Sequence, residues 1–268
     1  MDPPAGSPPG LVRAFYETVQ LGTGFQGPGL FRFADWLPVR WIPEGSSAPV
    51  TFRCHRLGAA LGLKELWITF SGYWPEKGAS METCSFKETE AYSVCGRLPA
   101  DNRKVLVVAS AGNTARSFAR VCSDNDIPLL LFVPEDNLDA LWSGRPFGDC
   151  VQLICTPPGS DYFDAIALSG EAALLEGFIA EGGARNIARR DGMGTTVLSA
   201  VTTIGHIPSF YFQAVGSGTG AIAAWEANMR LIRDGRFGNR KMQLVVSQNL
   251  PFAPMADAWD KGSRVLYF

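Results

Sequence analysis

Val105-Leu106-Val107-Val108-Ala109-Ser110-Ala111-Gly112-Asn113-Thr114 is the stretch on which the reading of the whole chain turns. Its first half is a short β-branched apolar run, the mark of a strand buried on both faces, and its second half is built of small and polar turn residues. A helical stretch then continues to about Asp124, giving strand, turn and helix in succession. Downstream the unit recurs: Ile127 to Val133 and Val151 to Cys155 read as strands, and Tyr162 to Glu176 as a helix. In the second half Met193 to Ile204 reads as a helix, Tyr211 to Val215 as a strand, Gly216 to Gly220 as a glycine-rich turn, Ala221 to Asp234 as a helix and Met242 to Ser247 as a strand. Strands alternating with helices predict an α/β fold whose parallel sheets are covered by helices. The 268 residues suffice for two such lobes with a cleft between them.

Working upstream, the regular pattern fades. Leu66 to Phe70 is a short apolar run, and Ser71 to Ser80, with its glycines and proline, reads as a loop leading to Lys87. Before about Glu44 the chain mixes proline, glycine and aromatics such as Phe31, Phe33, Trp36 and Trp41, as in an arm laid across a larger body.

Composition removes several classes of function. Hydrophobic residues make up 46% and charged residues 19%, a folded rather than a disordered balance. A net charge of −2 offers no basic field for nucleic acid. No apolar run approaches the roughly 18 to 20 residues that cross a bilayer, and the Pro/Gly-rich start, Met1 to Gly10, does not read as a signal peptide. The six cysteines are scattered without a C-x-x-C pair, which points to reduced thiols in a cytoplasmic protein. Cys54-His55 is the one Cys/His neighbour pair, too little for a zinc site, and neither His55 nor His206 sits in a context suggesting a nucleophilic triad. No metal is expected.

Three short motifs carry chemistry. Gly216-Ser217-Gly218-Thr219-Gly220 joins a strand to a helix, where free N–H groups and the helix dipole favour a phosphate. It lacks the Gly-Lys-Ser/Thr ending of a P-loop and the spacing of a dinucleotide fingerprint; an ordinary tight turn is the competing reading. Ser110-Ala111-Gly112-Asn113-Thr114 lies at a strand's carboxyl end, where open α/β sheets bind ligands, although Asn113 or Thr114 could equally be a helix cap. Ser85-Phe86-Lys87-Glu88 alone holds only a lysine, most often a surface residue. An imine-forming lysine, an Asn-bearing loop and a phosphate turn in one α/β chain together suit an aldehyde cofactor with a phosphate tail.

In order and spacing these motifs resemble those of the fold-type II pyridoxal-phosphate enzymes, the tryptophan-synthase-β-like family, and especially its threonine synthases. Leu66-Trp67-Ile68-Thr69-Phe70, Ser71 to Glu76, Glu181 to Asn186, Arg189 to Gly194 and Ser247 to Phe252 narrow the likeness to the cysteate synthase branch of that family. The resemblance runs from about Phe31 to Trp259. It implies pyridoxal 5'-phosphate held on Lys87, with Asn113 at the ring oxygen, Gly216, Ser217, Gly218, Thr219 and Gly220 at the cofactor phosphate, and Ser110, Ala111, Gly112 and Thr114 at the substrate carboxylate. It also implies a β-replacement in which O-phospho-L-serine and sulfite give L-cysteate, as in coenzyme M biosynthesis in methanogens. Threonine synthesis from O-phosphohomoserine is the rival activity, and a non-catalytic cofactor-binding protein the rival class. Arg116, Arg185, Arg189 and Arg190 are candidates by type for the substrate anions.

The family likeness divides the chain into an arm and part of the cofactor lobe (1–95), a smaller lobe with the Asn loop (96–178) and a larger cofactor lobe with the glycine turn (179–268). Because family members continue well beyond the strand near Val246, the likeness implies that the C-terminal part of that lobe is missing. Small-molecule substrates are the expected partners, and a homo-oligomer is compatible with them.

Overall fold

The computed structural model of the chain describes residues 10–24, 27–251 and 253–263. Phe252, quoted above among the motif residues, and most of the Met1 to Gly10 stretch lie outside them. The elements run β1 (Val50–Arg53), α1 (His55–Ala60), β2 (Trp67–Phe70), β3 (Tyr73–Trp74), β4 (Ala79–Ser80), α2 (Lys87–Arg97), β5 (Val105–Ala109), α3 (Asn113–Asp124), β6 (Leu129–Pro134) and β7 (Val151–Thr156). They continue with α4 (Tyr162–Ala172), β8 (Phe178–Ala180), α5 (Ile187–Ile204), β9 (Phe210–Ala214), α6 (Thr219–Asp234), β10 (Gln243–Ser247) and α7 (Pro254–Asp260).

β5 to β8 form one parallel sheet in the order β7-β6-β5-β8. Side chains alternate across its plane, so one apolar run serves two cores. Leu106, Val108, Leu129, Leu131 and Val133 join Ala91 and Tyr92 of α2 and Phe118 and Ala119 of α3. Val107 and Phe132 meet Ala165 of α4 on the other side. Burying a side chain such as Phe118 completely contributes about 1.5–3 kcal/mol, which is why a strand with no polar face holds its place. The second half of the chain has its own parallel pair, β9 with β10, whose partner core includes Val197 and Val201 of α5, Leu231 of α6 and the arm residues Phe33 and Trp36. Among the described residues no helix is long and apolar enough to cross a membrane.

α5 is the central rod. Gly192 brings its backbone against α2, where an added Cβ would lie 2.4 Å from the Thr89 carbonyl oxygen, and Gly194 faces Ala223 and Ala227 of α6. Its start differs from the sequence expectation: the helix begins at Ile187, six residues before Met193, with the Asn186 side chain accepting from the Ala188 N–H as its cap. Arg189, Arg190 and Asp191 look like a solvated lead-in, yet they are helical and held in ion pairs with Glu90 and Glu181, Glu226 and Arg230. Ser71 to Ser80 also differs from a plain loop, since β3 and β4 pair antiparallel across a 3-10 turn at Pro75–Lys77.

The N-terminal arm is a structural part of the body. Its 3-10 stretch Gly29–Trp36 buries Leu30, Phe31, Phe33 and Trp36. Tyr16 donates to Asp191 at 2.5 Å, the Leu21 N–H to Asp234 at 2.8 Å, and the Arg190 guanidinium to the carbonyls of Val12 and Ala184. Burial and the Asp191 carboxylate both push the Tyr16 phenol pKa up, so it stays a donor.

Candidate active site

Lys87 is the first residue of α2, and only 22% of its side chain is exposed. Its Nζ lies 3.5 Å from Glu90 Oε2, one turn along the same helix, and 4.9 Å from the centre of the Phe86 ring. Burial lowers the Lys87 pKa, and the Glu90 carboxylate pulls the other way. An amine so placed loses its proton more readily than an exposed lysine, as a nucleophilic lysine must.

Glu90 is fully hidden and is the hub of the site. The Arg189 guanidinium spans both of its oxygens, Nε to Oε2 at 3.0 Å and Nη2 to Oε1 at 2.9 Å, and the Thr114 hydroxyl donates to Oε1 at 2.8 Å. Arg189 reaches Glu181 with its remaining nitrogen at 2.8 Å. Burial works against its charge, but the two carboxylates outweigh that and hold its pKa up. Through Glu90 the structure therefore brings Lys87 and the Ser110–Thr114 loop together.

The rest of that loop differs from a capped helix start. Gly112 takes the cap position of α3 with no side-chain cap, its N–H bonding to the Ser110 hydroxyl at 3.2 Å. Asn113 is exposed and its Oδ1 accepts from Arg116 at 2.7 Å. Neither Asn113 nor Thr114 therefore spends its side chain on the cap.

The glycine turn belongs to α6, which packs on α5 as α5 packs on α2. Gly218, at φ 78°, is the cap residue and gives α6 no side-chain cap. The Ser217 and Thr219 hydroxyls share a 2.8 Å bond, and an added Cβ at Gly216 would meet nothing within 4 Å. Gly218 and Gly220 are closely covered instead, by Met255 and Gln213, so the room lies beside Gly216; an uncapped sixteen-residue helix with hydroxyls there fits a phosphate. With a desolvated amine on α2, these residues suit a phosphate-bearing aldehyde.

The four arginines singled out by type sit in different surroundings. Arg116 donates to the carbonyls of Thr83 and Ala140 and stacks 4.1 Å from the Trp142 ring centre, Arg189 is spread over Glu90 and Glu181, and Arg190 pairs with Glu226 at 3.1 Å. Arg185 is exposed at the end of a short 3-10 turn. Sequence reasoning passed over Glu90 and quoted Glu181 only as part of a family motif, with no role in the site. The signal for Glu90 was its spacing, three residues beyond Lys87 on one helix face.

A parallel α/β fold with a half-hidden lysine and an uncapped, glycine-led helix defines the class of the pyridoxal-phosphate enzymes. The chain belongs to the pyridoxal-phosphate dependent enzyme family, whose model matches residues 49–267, and pyridoxal phosphate is that family's cofactor. It is 51% identical over 256 residues to a cysteate synthase of Methanocella paludicola, covering 95% of this chain and 60% of that protein. It is 50% identical over 254 residues to a cysteate synthase of Methanosarcina acetivorans, covering 95% of this chain and 61% of that protein. The chain thus spans about 60% of the length of these relatives. Maize serine racemase shares the fold with a TM-score of 0.61 at 14% identity, over 82% of this chain and 61% of that one.

Proposed function

We propose that this chain holds pyridoxal phosphate covalently at Nζ of Lys87, with Asn113 at the ring oxygen and Gly216, Ser217, Gly218, Thr219 and Gly220 around the phosphate. Ser110, Ala111, Gly112 and Thr114 receive the substrate carboxylate. The activity we propose is that of the cytoplasmic β-replacement enzyme of coenzyme M biosynthesis, making L-cysteate from O-phospho-L-serine and sulfite. The lobe division follows the same reading, with residues 96–178 as the smaller lobe and 1–95 and 179–268 carrying the lysine and the glycine turn.

The observation that supports this reading most is the Lys87 amine: half-hidden at a helix start, with a pKa lowered by burial and a carboxylate 3.5 Å away. When bound, the cofactor ring accepts the electron pair left behind as the substrate's α-proton departs. Lys87 Nζ, freed once the substrate's amine has displaced it, takes that proton and later returns it to the same carbon. Phosphate leaves the β-carbon with the C–O electron pair, and the sulfite lone pair forms the new C–S bond. The α3 start, free of a side-chain cap, leaves backbone N–H groups to receive the substrate carboxylate.

Purified protein given O-phospho-L-serine and sulfite is expected to release inorganic phosphate and L-cysteate in equal amounts. Threonine from O-phosphohomoserine, with no cysteate from the first pair, overturns the assignment. A pH dependence is expected as well. Only the unprotonated amine attacks an aldehyde, so capture of pyridoxal phosphate quickens as pH rises and levels off at a lower pH than for an exposed lysine. Borohydride fixation followed by intact mass, across a pH series, measures it.

A further inference from the structure

Four charged side chains from three parts of the fold meet beside the proposed cofactor lysine: Lys87 and Glu90 from α2, Arg189 from α5 and Glu181 from the segment after β8. Tyr162 at the start of α4 also feels Arg189, Glu181 and Glu90. Their connections are unequal. Glu90 accepts from Arg189 through both oxygens and from Thr114, while Arg189 Nη2 also donates to the Thr114 hydroxyl at 3.2 Å. Glu181 accepts from Arg189 and from the Gly183 N–H, yet its Oε1 is buried with no hydrogen-bond partner. Glu90 is thus fixed by three donors and Glu181 is one partner short.

From this geometry we propose that Glu90 is a positioning residue for Lys87: its carboxylate, locked by Arg189 and Thr114, docks the lysine amine as an ammonium and must release it before the cofactor can be taken up. This inference rests on the assignment of Lys87 as the cofactor lysine. Two cations face two carboxylates here, so an ammonium on Lys87 completes a neutral cluster. Loss of its proton leaves a net negative cluster around a neutral amine, and Glu181, whose pKa burial raises, is the group able to accept a proton in compensation. The Thr114 link has a second consequence. A substrate carboxylate drawing on the Thr114 hydroxyl would remove a donor from Glu90 and change its hold on Lys87, so substrate loading and the state of the amine are coupled.

The test is the rate of pyridoxal phosphate capture against pH, read as adduct mass after borohydride, in the unsubstituted protein and in Glu90→Gln. Removing the anion nearest the ammonium, with Arg189 still present, favours the neutral amine. The profile is therefore expected to move to lower pH, with roughly tenfold faster capture on its rising limb. A substitution that merely loosens the site would lower capture equally at every pH. That result, or an unmoved profile, overturns the proposal. If Glu90→Gln does not fold, Glu90→Asp, which keeps a carboxylate for Arg189 but draws it back from the Lys87 amine, carries the test: its profile is expected to move the same way by a smaller amount. Absence of any adduct on Lys87 in the unsubstituted protein overturns the cofactor assignment and this inference with it. Capture with an unmoved profile overturns this inference alone.

Discussion

Replacing Lys87 by alanine is expected to abolish covalent capture of pyridoxal phosphate while leaving the fold intact. The two halves of this result have separate physical grounds. Capture fails because the chain's other lysines, at positions 64, 77, 104, 241 and 261, lie outside the three motifs proposed to hold the cofactor. The fold survives because Glu90 keeps Arg189 and Thr114 as donors, so no buried carboxylate is stranded. Lys87→Arg separates charge from chemistry, since a guanidinium can face Glu90 but cannot condense with an aldehyde at neutral pH. Intact mass after borohydride reads capture, and thermal unfolding reads the fold. An adduct of full yield in Lys87→Ala would remove this residue from the mechanism.

The second large effect is expected at Gly192. A methyl group there would sit 2.4 Å from the Thr89 carbonyl oxygen and 2.7 Å from Ser93 Cβ, so α5 and α2 must part. Overpacking of this kind costs about 1–3 kcal/mol or more, which lowers Tm by roughly 2–4 °C per kcal/mol in a protein of this size. Lys87 leads α2, so moving that helix also displaces the amine, and Gly192→Ala should capture cofactor poorly even at temperatures where it is folded. Gly194→Ala is the contrast, because its methyl would meet Ala223 and Ala227 at 3.4–3.5 Å and the gain in helix propensity offsets a small adjustment. Equal stability of the two variants would show that the close approach of α2 and α5 is not what positions the lysine.

The readability of the sequence followed hydrophobic pattern. β5, β6, β7, β9 and β10, each a short apolar run ahead of or behind a turn, matched their expected places to within a residue or two. α2 escaped notice because Lys87-Glu88-Thr89-Glu90 looks like a solvated surface, whereas Glu88 and Glu90 are buried: Glu88 takes hydrogen bonds from Ser47 and Thr83, and Glu90 from Arg189 and Thr114. The first turn of α5 was lost for the same reason at Arg189, Arg190 and Asp191. A periodicity argument counts charge as outside and cannot see a partner a hundred residues away. β8, at three residues, was too short to rise above its surroundings. The Gly216–Gly220 and Ser110–Thr114 turns were readable because glycine and small polar residues between a strand and a helix have few other uses. The hub at Glu90 depends on α5 arriving beside α2, a tertiary event with no local signature.

The arm that precedes β1 bears on how a shortened version of this protein would behave. The family match begins at residue 49, an inviting place to cut for expression. A chain begun there would discard Tyr16, the Val12 carbonyl and Leu21, which serve Asp191, Arg190 and Asp234, and would uncover the apolar bed under Phe33 and Trp36. Such a trimmed product should come out insoluble, and adding residues 10–48 back as a separate peptide is the direct way to rescue it.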